Sequence, residues 1–207
     1  MPLQNRVTPT GDIVAADARG LFMGNRGILH DAAKRLGRSR WRHKVWIICR
    51  TSFRGRHREV MAPRRYTELF FLDEAVAIAA GHRPCFECRR RDYHAWQEAW
   101  RDGNRAQSLP RAGEMDARLH GERIEPGTRQ QRRWRSALGD LPDGAFILWD
   151  GWPCLVAGGR LWPWSHGGYD AGAALSPTES VTVLTPPSSV GALRGGYRLV
   201  LHQSARL

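Results

Sequence analysis

Two cysteines three residues apart raise the first chemical question. Cys85 and Cys88 lie in the stretch Gly81-His82-Arg83-Pro84-Cys85-Phe86-Glu87-Cys88-Arg89-Arg90 and are half of the chain's four cysteines. A Cys-x-x-Cys on a tight turn can aim two thiolates at one ion. A third cysteine, Cys49, closes the apolar run Val45-Trp46-Ile47-Ile48. Three sulfurs in this pattern point to a metal, and zinc prefers a tetrahedron of soft or borderline ligands, so a fourth ligand must come from elsewhere. His57 is the first choice, because it is close to Cys49 and a turn at Gly55 can swing it back. Cys154, His82, His43 and His94 are the alternatives. Cys154 taken alone reads as a small buried hydrophobe. A redox use of the pair needs a thioredoxin-like βαβ context, and the pattern around it has none.

The chain has 207 residues and a formal net charge of +12. That length suits one large domain, or one domain and a small module, and can bury a real core without help from a metal. No apolar run approaches the roughly 18 residues of a membrane span, so the composition reads as soluble and cytoplasmic. The charge is concentrated: residues 34–65 hold twelve Lys and Arg against Glu59 alone. Such a field favours a polyanion, most simply nucleic acid. Arg38, Arg40, Arg42, Lys44, Arg50, Arg54, Arg56 and Arg58 are the candidate phosphate contacts. Arg129 to Arg135, with Trp134 inside it, is a second basic cluster.

These residues need a scaffold. Residues 1–11 read as a loose start, Asp12 to Ala15 as a short strand, and Gly20 to Gly27 as a strand and tight turn. Asp31 to Leu36 reads as one or two helical turns, Trp41 to Arg50 as a strand, and Phe53 to Met61 as a second strand. Asp73 to Ala80 is a short helix ended by Gly81. Tyr93, Trp96, Ala99 and Trp100 fall at helical spacing and form a core-facing stripe. Residues 102–142 turn polar and read as a connector with one helical phrase, Glu114 to Arg123. Beyond it the pattern is β: residues 145–149 and 152–156 flank Asp150-Gly151, a strong hairpin signal, with further strands at 160–164 and 181–184. Ser188 is placed to cap a single turn, and residues 197–201 close the chain. The expected fold is α+β, with a zinc knot in residues 1–101, the connector at 102–142 and a small antiparallel β-rich part at 143–207.

Two phrases carry a resemblance. Ile48-Cys49-Arg50-Thr51-Ser52-Phe53-Arg54-Gly55-Arg56-His57 is one, and Ala80-Gly81-His82-Arg83-Pro84-Cys85-Phe86-Glu87-Cys88 is the other. With the intervening helix they resemble the zinc-binding domain of Ada-type DNA alkylation-repair proteins over about residues 45–92. In that family four cysteines hold zinc and one accepts a methyl group from a DNA phosphotriester. Cys49 matches the first of the leading pair and Cys85 and Cys88 match the trailing pair; Phe53 stands where the family has its second cysteine. The resemblance implies zinc, DNA as partner and a role in repair or damage response. Four thiolates on Zn²⁺ leave a site of charge −2, whereas three with a neutral histidine leave −1 and a weaker nucleophile.

Three functions compete. The first is a zinc-containing nucleic-acid-binding protein. The second is a metal-assisted nuclease or hydrolase using Asp116 and His120, which share a helix face at i and i+4, or His30 and Asp31. The third is a zinc-stapled structural or partner-binding protein.

Overall fold

The computed structural model describes residues 1–56, 59–174 and 176–205. Strands β1 (Gln4–Val7), β2 (Ile13–Ala15), β3 (Phe22–Asn25), β4 (Ile47–Arg50), β5 (Leu69–Phe71) and β6 (Arg83–Pro84) form one sheet in the order β2-β1-β5-β3-β4-β6. Helix α1 (Glu74–Ala79) follows β5, and α2 (Arg90–Gly103) and α3 (Ala112–Arg123) follow β6. Then come β7 (Trp134–Ala137), β8 (Phe146–Trp149), β9 (Trp152–Ala157), β10 (Arg160–Ser165), β11 (Gly168–Tyr169) and β12 (Ser180–Val183), which form a second sheet in the order β11-β10-β9-β8-β12-β7, and last α4 (Pro187–Arg194). The architecture is α+β with a β-rich C-terminal part.

Alternation along the first sheet separates core from site. Successive side chains on a strand face opposite ways. Ile48, Leu69 and Phe71 are fully buried in the main core, while Met23, Ile47, Cys49 and Phe70 take the other face. Gly24 permits the close pairing of β3 and β4, since a Cβ there would sit 2.1 Å from the Ile47 carbonyl oxygen. The main apolar cluster runs through both halves of the chain, joining Ile48 and Leu69 to Trp96, Met115, Phe146, Leu155 and Tyr197. A smaller cluster of Ile147, Cys154, Val156 and Val183 fills the opposite face of the second sheet. Among the described residues no helix is long and apolar enough to cross a membrane.

Helix α1 is buried along its whole length. Asp73 caps it, accepting from the Val76 amide at 3.0 Å, and Gly81 turns the chain out at φ +83°. The two acids at its start also hold the C-terminal segment. Asp73 accepts from the Tyr169 hydroxyl at 2.8 Å and the His202 amide at 3.0 Å. Glu74 accepts from the Tyr197 hydroxyl at 2.7 Å and the Val200 amide at 3.1 Å. Residues 197–201 are therefore fixed by acids rather than by a strand ladder.

Several sequence expectations hold. Tyr93, Trp96, Ala99 and Trp100 are the buried face of α2, with Trp96 edge-on to Tyr197 at 4.9 Å. Asp150 and Gly151 join β8 to β9 with φ of +47° and +81°, the left-handed pair that a two-residue hairpin turn requires. Others are corrected. Residues 4–7 form an inner strand of the first sheet, where a loose start was expected. The strand expected over 41–50 is confined to Ile47–Arg50, because the Trp46 indole folds back to donate to the His43 carbonyl at 2.9 Å. The described part of 53–61 is turns, entered through Arg54 at φ +52°. Asp31 folds residues 31–35 into a turn by accepting from the Ala33 and Arg35 amides, and no helix forms there. The helical phrase expected at 114–123 is present as α3, but with Met115 and Leu119 fully buried it packs into the core, where a polar connector was expected. Ser188 lies inside α4, where its amide donates to Glu122 at 2.9 Å.

Candidate metal centre

Register brings Cys49 to Cys85. Strand β6 pairs in parallel with β4, Ile48 opposite Pro84, and the Cys85 amide donates to the Ile48 carbonyl at 2.9 Å. The residue after each partner is a cysteine, so the two sulfurs emerge side by side on the outer face. The chain then turns through Phe86 and Glu87, with the Arg89 amide returning to the Cys85 carbonyl at 3.1 Å, and Cys88 joins them. The three Sγ atoms lie within 4.8 Å of one another. One tetrahedral ion at Zn–S distances of about 2.3 Å would hold its sulfurs about 3.8 Å apart, so little adjustment separates this arrangement from a filled site.

The electrostatics place one anionic sulfur in the cluster, at Cys85. Hydrogen bonding from Cys49, then from Cys88, holds the Cys85 thiol far below its usual range against the opposing effect of burial, and the Cys88 and Glu87 amides also point at that sulfur. Hydrogen bonding to Cys85 and Cys88, with burial, pushes Cys49 up. Hydrogen bonding with Cys49 pulls Cys88 down, but hydrogen bonding with Cys85 and burial outweigh it and push Cys88 up, with the Arg50 amide pointing at its sulfur. Amides directed at sulfur stabilise thiolate before any metal arrives.

Buried ion pairs fix the supports. Arg83 on β6 forms a two-pronged pair with Asp116 on α3 at 2.7 and 2.8 Å, both side chains about one-twentieth exposed. Arg89, next to Cys88, lies 2.7 Å from buried Glu74 and donates to Asp92 at 2.8 Å. Its guanidinium also covers the Phe22 ring at 4.5 Å.

The sulfurs form one wall of a cleft of about 230 Å³. Met23, Ile47 and Phe70 lie under it, Asn25, Tyr66 and Glu68 give it polar groups, and Arg50, Arg56 and Glu87 stand at its rim. Phe53 lines the same cleft, with the Arg54 and Arg56 guanidiniums 5.0 and 5.5 Å from its ring centre. Phe53 thus places an aromatic ring in the same cleft as the sulfurs. Asn25, Tyr66 and Glu68 were not legible as site residues; isolated polar residues near short strands carry no spacing signal.

Among the described residues no fourth His, Cys, Asp or Glu joins the three cysteines. His57 and Arg58 lie outside the described residues. The alternative ligands lie away from the three sulfurs. His82 is fully buried between Trp46 and Phe71 on the core side, where burial and then Arg26 push its pKa down. His94 is exposed on α2 against Gln97, His43 is exposed before β4, and Cys154 is 2% exposed in the second sheet. Cys154→Ala is expected to leave metal content unchanged and to cost about 1 kcal/mol of stability by the loss of a small buried group; metal analysis beside urea unfolding checks both. The acid and base pairs are also occupied. Asp116 is taken by Arg83, while His120 packs edge-on to Trp41 at 5.9 Å. His30 is buried against Thr67 at 2.7 Å, and Asp31 is turned to Arg35.

Of the basic candidates, Arg38, Arg42, Lys44, Arg50, Arg54 and Arg56 are exposed and Arg40 is half-buried. Among the described members only Arg56 is ion-paired, with Glu87 at 2.6 Å. Arg50, Arg54 and Arg56 gather by the cysteine cleft, whereas Arg40 lines a separate one with Trp41.

No protein-family model, no curated protein and no solved structure matches this chain.

Proposed function

We propose that this protein is a zinc-binding protein that holds nucleic acid, DNA by its resemblance to the Ada-type zinc domain, with a place in repair or damage response. The observation that carries the reading is the meeting of three sulfurs from distant parts of the chain beside unpaired arginines. Thiolates are soft donors and select zinc over hard cations. Cys49, Cys85 and Cys88 would hold the ion, with His57 as the fourth ligand. Bound there, zinc supplies charge and rigidity at the β4–β6 edge. Arg50 and Arg54 then offer their guanidiniums to phosphates. The reading assigns binding and no turnover, since a centre with three thiolates and an imidazole is a weaker methyl acceptor than one with four. Unpaired thiols suit a reducing compartment such as the cytoplasm.

Zinc analysis of the purified protein tests the metal, and duplex binding across a salt series tests the partner. One zinc per chain is expected, with affinity for a short duplex falling at least about 100-fold between roughly 50 and 200 mM salt. Arg50→Gln with Arg54→Gln is expected to flatten the log–log salt slope by about two. A salt-independent affinity, or none at low salt, removes nucleic acid from the proposal and leaves a metal-stapled scaffold.

A further inference from the structure

Among the described residues, two buried arginines have no carboxylate within ion-pair distance, although Asp12 acts on Arg26 and Asp116 on Arg123 through space. Arg26 is 2% exposed and Arg123 is 1% exposed. Arg26 donates to the Gly11 carbonyl at 2.9 Å and to His82 Nε2 at 3.4 Å, while its Nη2 has no partner among the described residues. Arg123 donates to the Gly81 carbonyl at 2.6 Å and the Lys44 carbonyl at 2.7 Å, while its Nε has no partner among the described residues. Both guanidiniums press on one ring, 4.0 and 3.7 Å from the centre of Trp46. The other buried arginines, Arg83 and Arg89, each have a carboxylate within 2.7 Å. An unpaired buried charge is costly, and two side by side also repel. Burial pulls Arg26 down to about 9, and burial followed by the charge of Arg26 pulls Arg123 well below its usual value.

Both arginines line a cleft. Its inner part is about 30 Å³ and is also walled by Arg40, Arg129, Trp41 and Trp46, with Asp12 the one acid. Arg40, Trp41 and Arg129 are shared with a wider depression of about 490 Å³. The narrow part has room for a few waters, which is the scale of one oxyanion group. Guanidinium forks match the oxygens of a phosphate. The wide part, with the Trp41 ring at its edge, suits a stacked base. This cleft shares no lining residue with the one beside the cysteines.

We propose that this cleft binds a nucleoside phosphate, the phosphate seated over Arg26 and Arg123, Arg40 and Arg129 closing on it from the rim, and the base against Trp41. The site uses none of the sulfurs, and it stands whether or not a strand binds at the cysteine cleft. The phosphate can belong to a free mononucleotide or to the end of a strand.

The test uses the full chain with its metal. Thermal melting and tryptophan fluorescence are followed with inorganic phosphate, deoxyadenosine 5′-monophosphate, and a short oligothymidylate with or without a 5′-phosphate. A higher Tm with phosphate and with the mononucleotide is expected, the mononucleotide binding about tenfold tighter or better through stacking. Arg40→Gln with Arg129→Gln changes rim residues, and is expected to weaken mononucleotide binding at least about tenfold with the ligand-free Tm unmoved. Arg26→Gln is expected to abolish it, and Cys85→Ala to leave it intact. Preference for the mononucleotide assigns a free ligand; preference for the 5′-phosphorylated strand assigns a strand end. No Tm shift with millimolar phosphate or mononucleotide overturns the proposal. So does binding unaltered in the rim double variant, or equal binding of the two oligonucleotides with none of the mononucleotide; that last result would still leave nucleic-acid binding elsewhere in place.

Discussion

Cys85→Ala is expected to purify without stoichiometric zinc and to melt well below the parent protein while keeping its far-UV circular dichroism. Cys85 is the sulfur on which the other two converge, and its amide closes the parallel step between β4 and β6. Alanine leaves that amide in place and removes only the ligand. If zinc is held at 100 to 1,000 times below its ambient concentration, its loss costs about 3–4 kcal/mol, which for a chain of this size is about 6–15 °C in Tm. The fold survives because its main cluster is built of Ile48, Leu69, Trp96, Phe146 and their neighbours and needs no sulfur. Chelation of the parent should reproduce the same drop, and added zinc should restore the parent but not the variant. Full zinc occupancy in Cys85→Ala would show that these thiols are not the ligands.

Glu74→Ala is expected to cost about 3–5 kcal/mol in urea unfolding, the range for removing one member of a buried ion pair. Glu74 is fully buried and 2.7 Å from Arg89, which would be left charged with Asp92 as its remaining acidic partner. The same change takes the acceptor from the Tyr197 hydroxyl and the Val200 amide, so the C-terminal segment should gain hydrogen exchange. Arg89 adjoins Cys88, so weaker zinc retention should accompany the loss. Adding Arg89→Met to Glu74→Ala should recover part of the stability, because the stranded cation is then gone. A cost below about 1 kcal/mol for Glu74→Ala would mean that the pair does not hold α2 and the C-terminal segment onto α1.

Local chemistry was legible where a few neighbouring residues decide the outcome. Gly81 ends α1, Asp150 and Gly151 make the hairpin, and the spacing from Tyr93 to Trp100 marks the buried face of α2. Helix α3 was only partly legible, because its buried face mixes Met115 and Leu119 with Asp116 and Arg123, and an apolar pattern is blind to charges that find partners only after folding. Strand β1 was missed for a related reason: Gln4–Val7 alternates too briefly to register, and its place inside the sheet comes from pairing with β5, over sixty residues away.

The sequence alone determined that the chain is α+β, that Cys85 and Cys88 share one turn, and that positive charge crowds the residues around Cys49, since each follows from spacing within a short window. The tertiary structure decided that Cys49 reaches the pair, that Glu68, Tyr66 and Asn25 face it, and that Arg26 and Arg123 meet at Trp46. The physical reason is register: parallel pairing of β4 with β6 and the docking of α3 bring together residues from 33 (Arg83 and Asp116) to 97 (Arg26 and Arg123) positions apart, and no local propensity encodes such meetings.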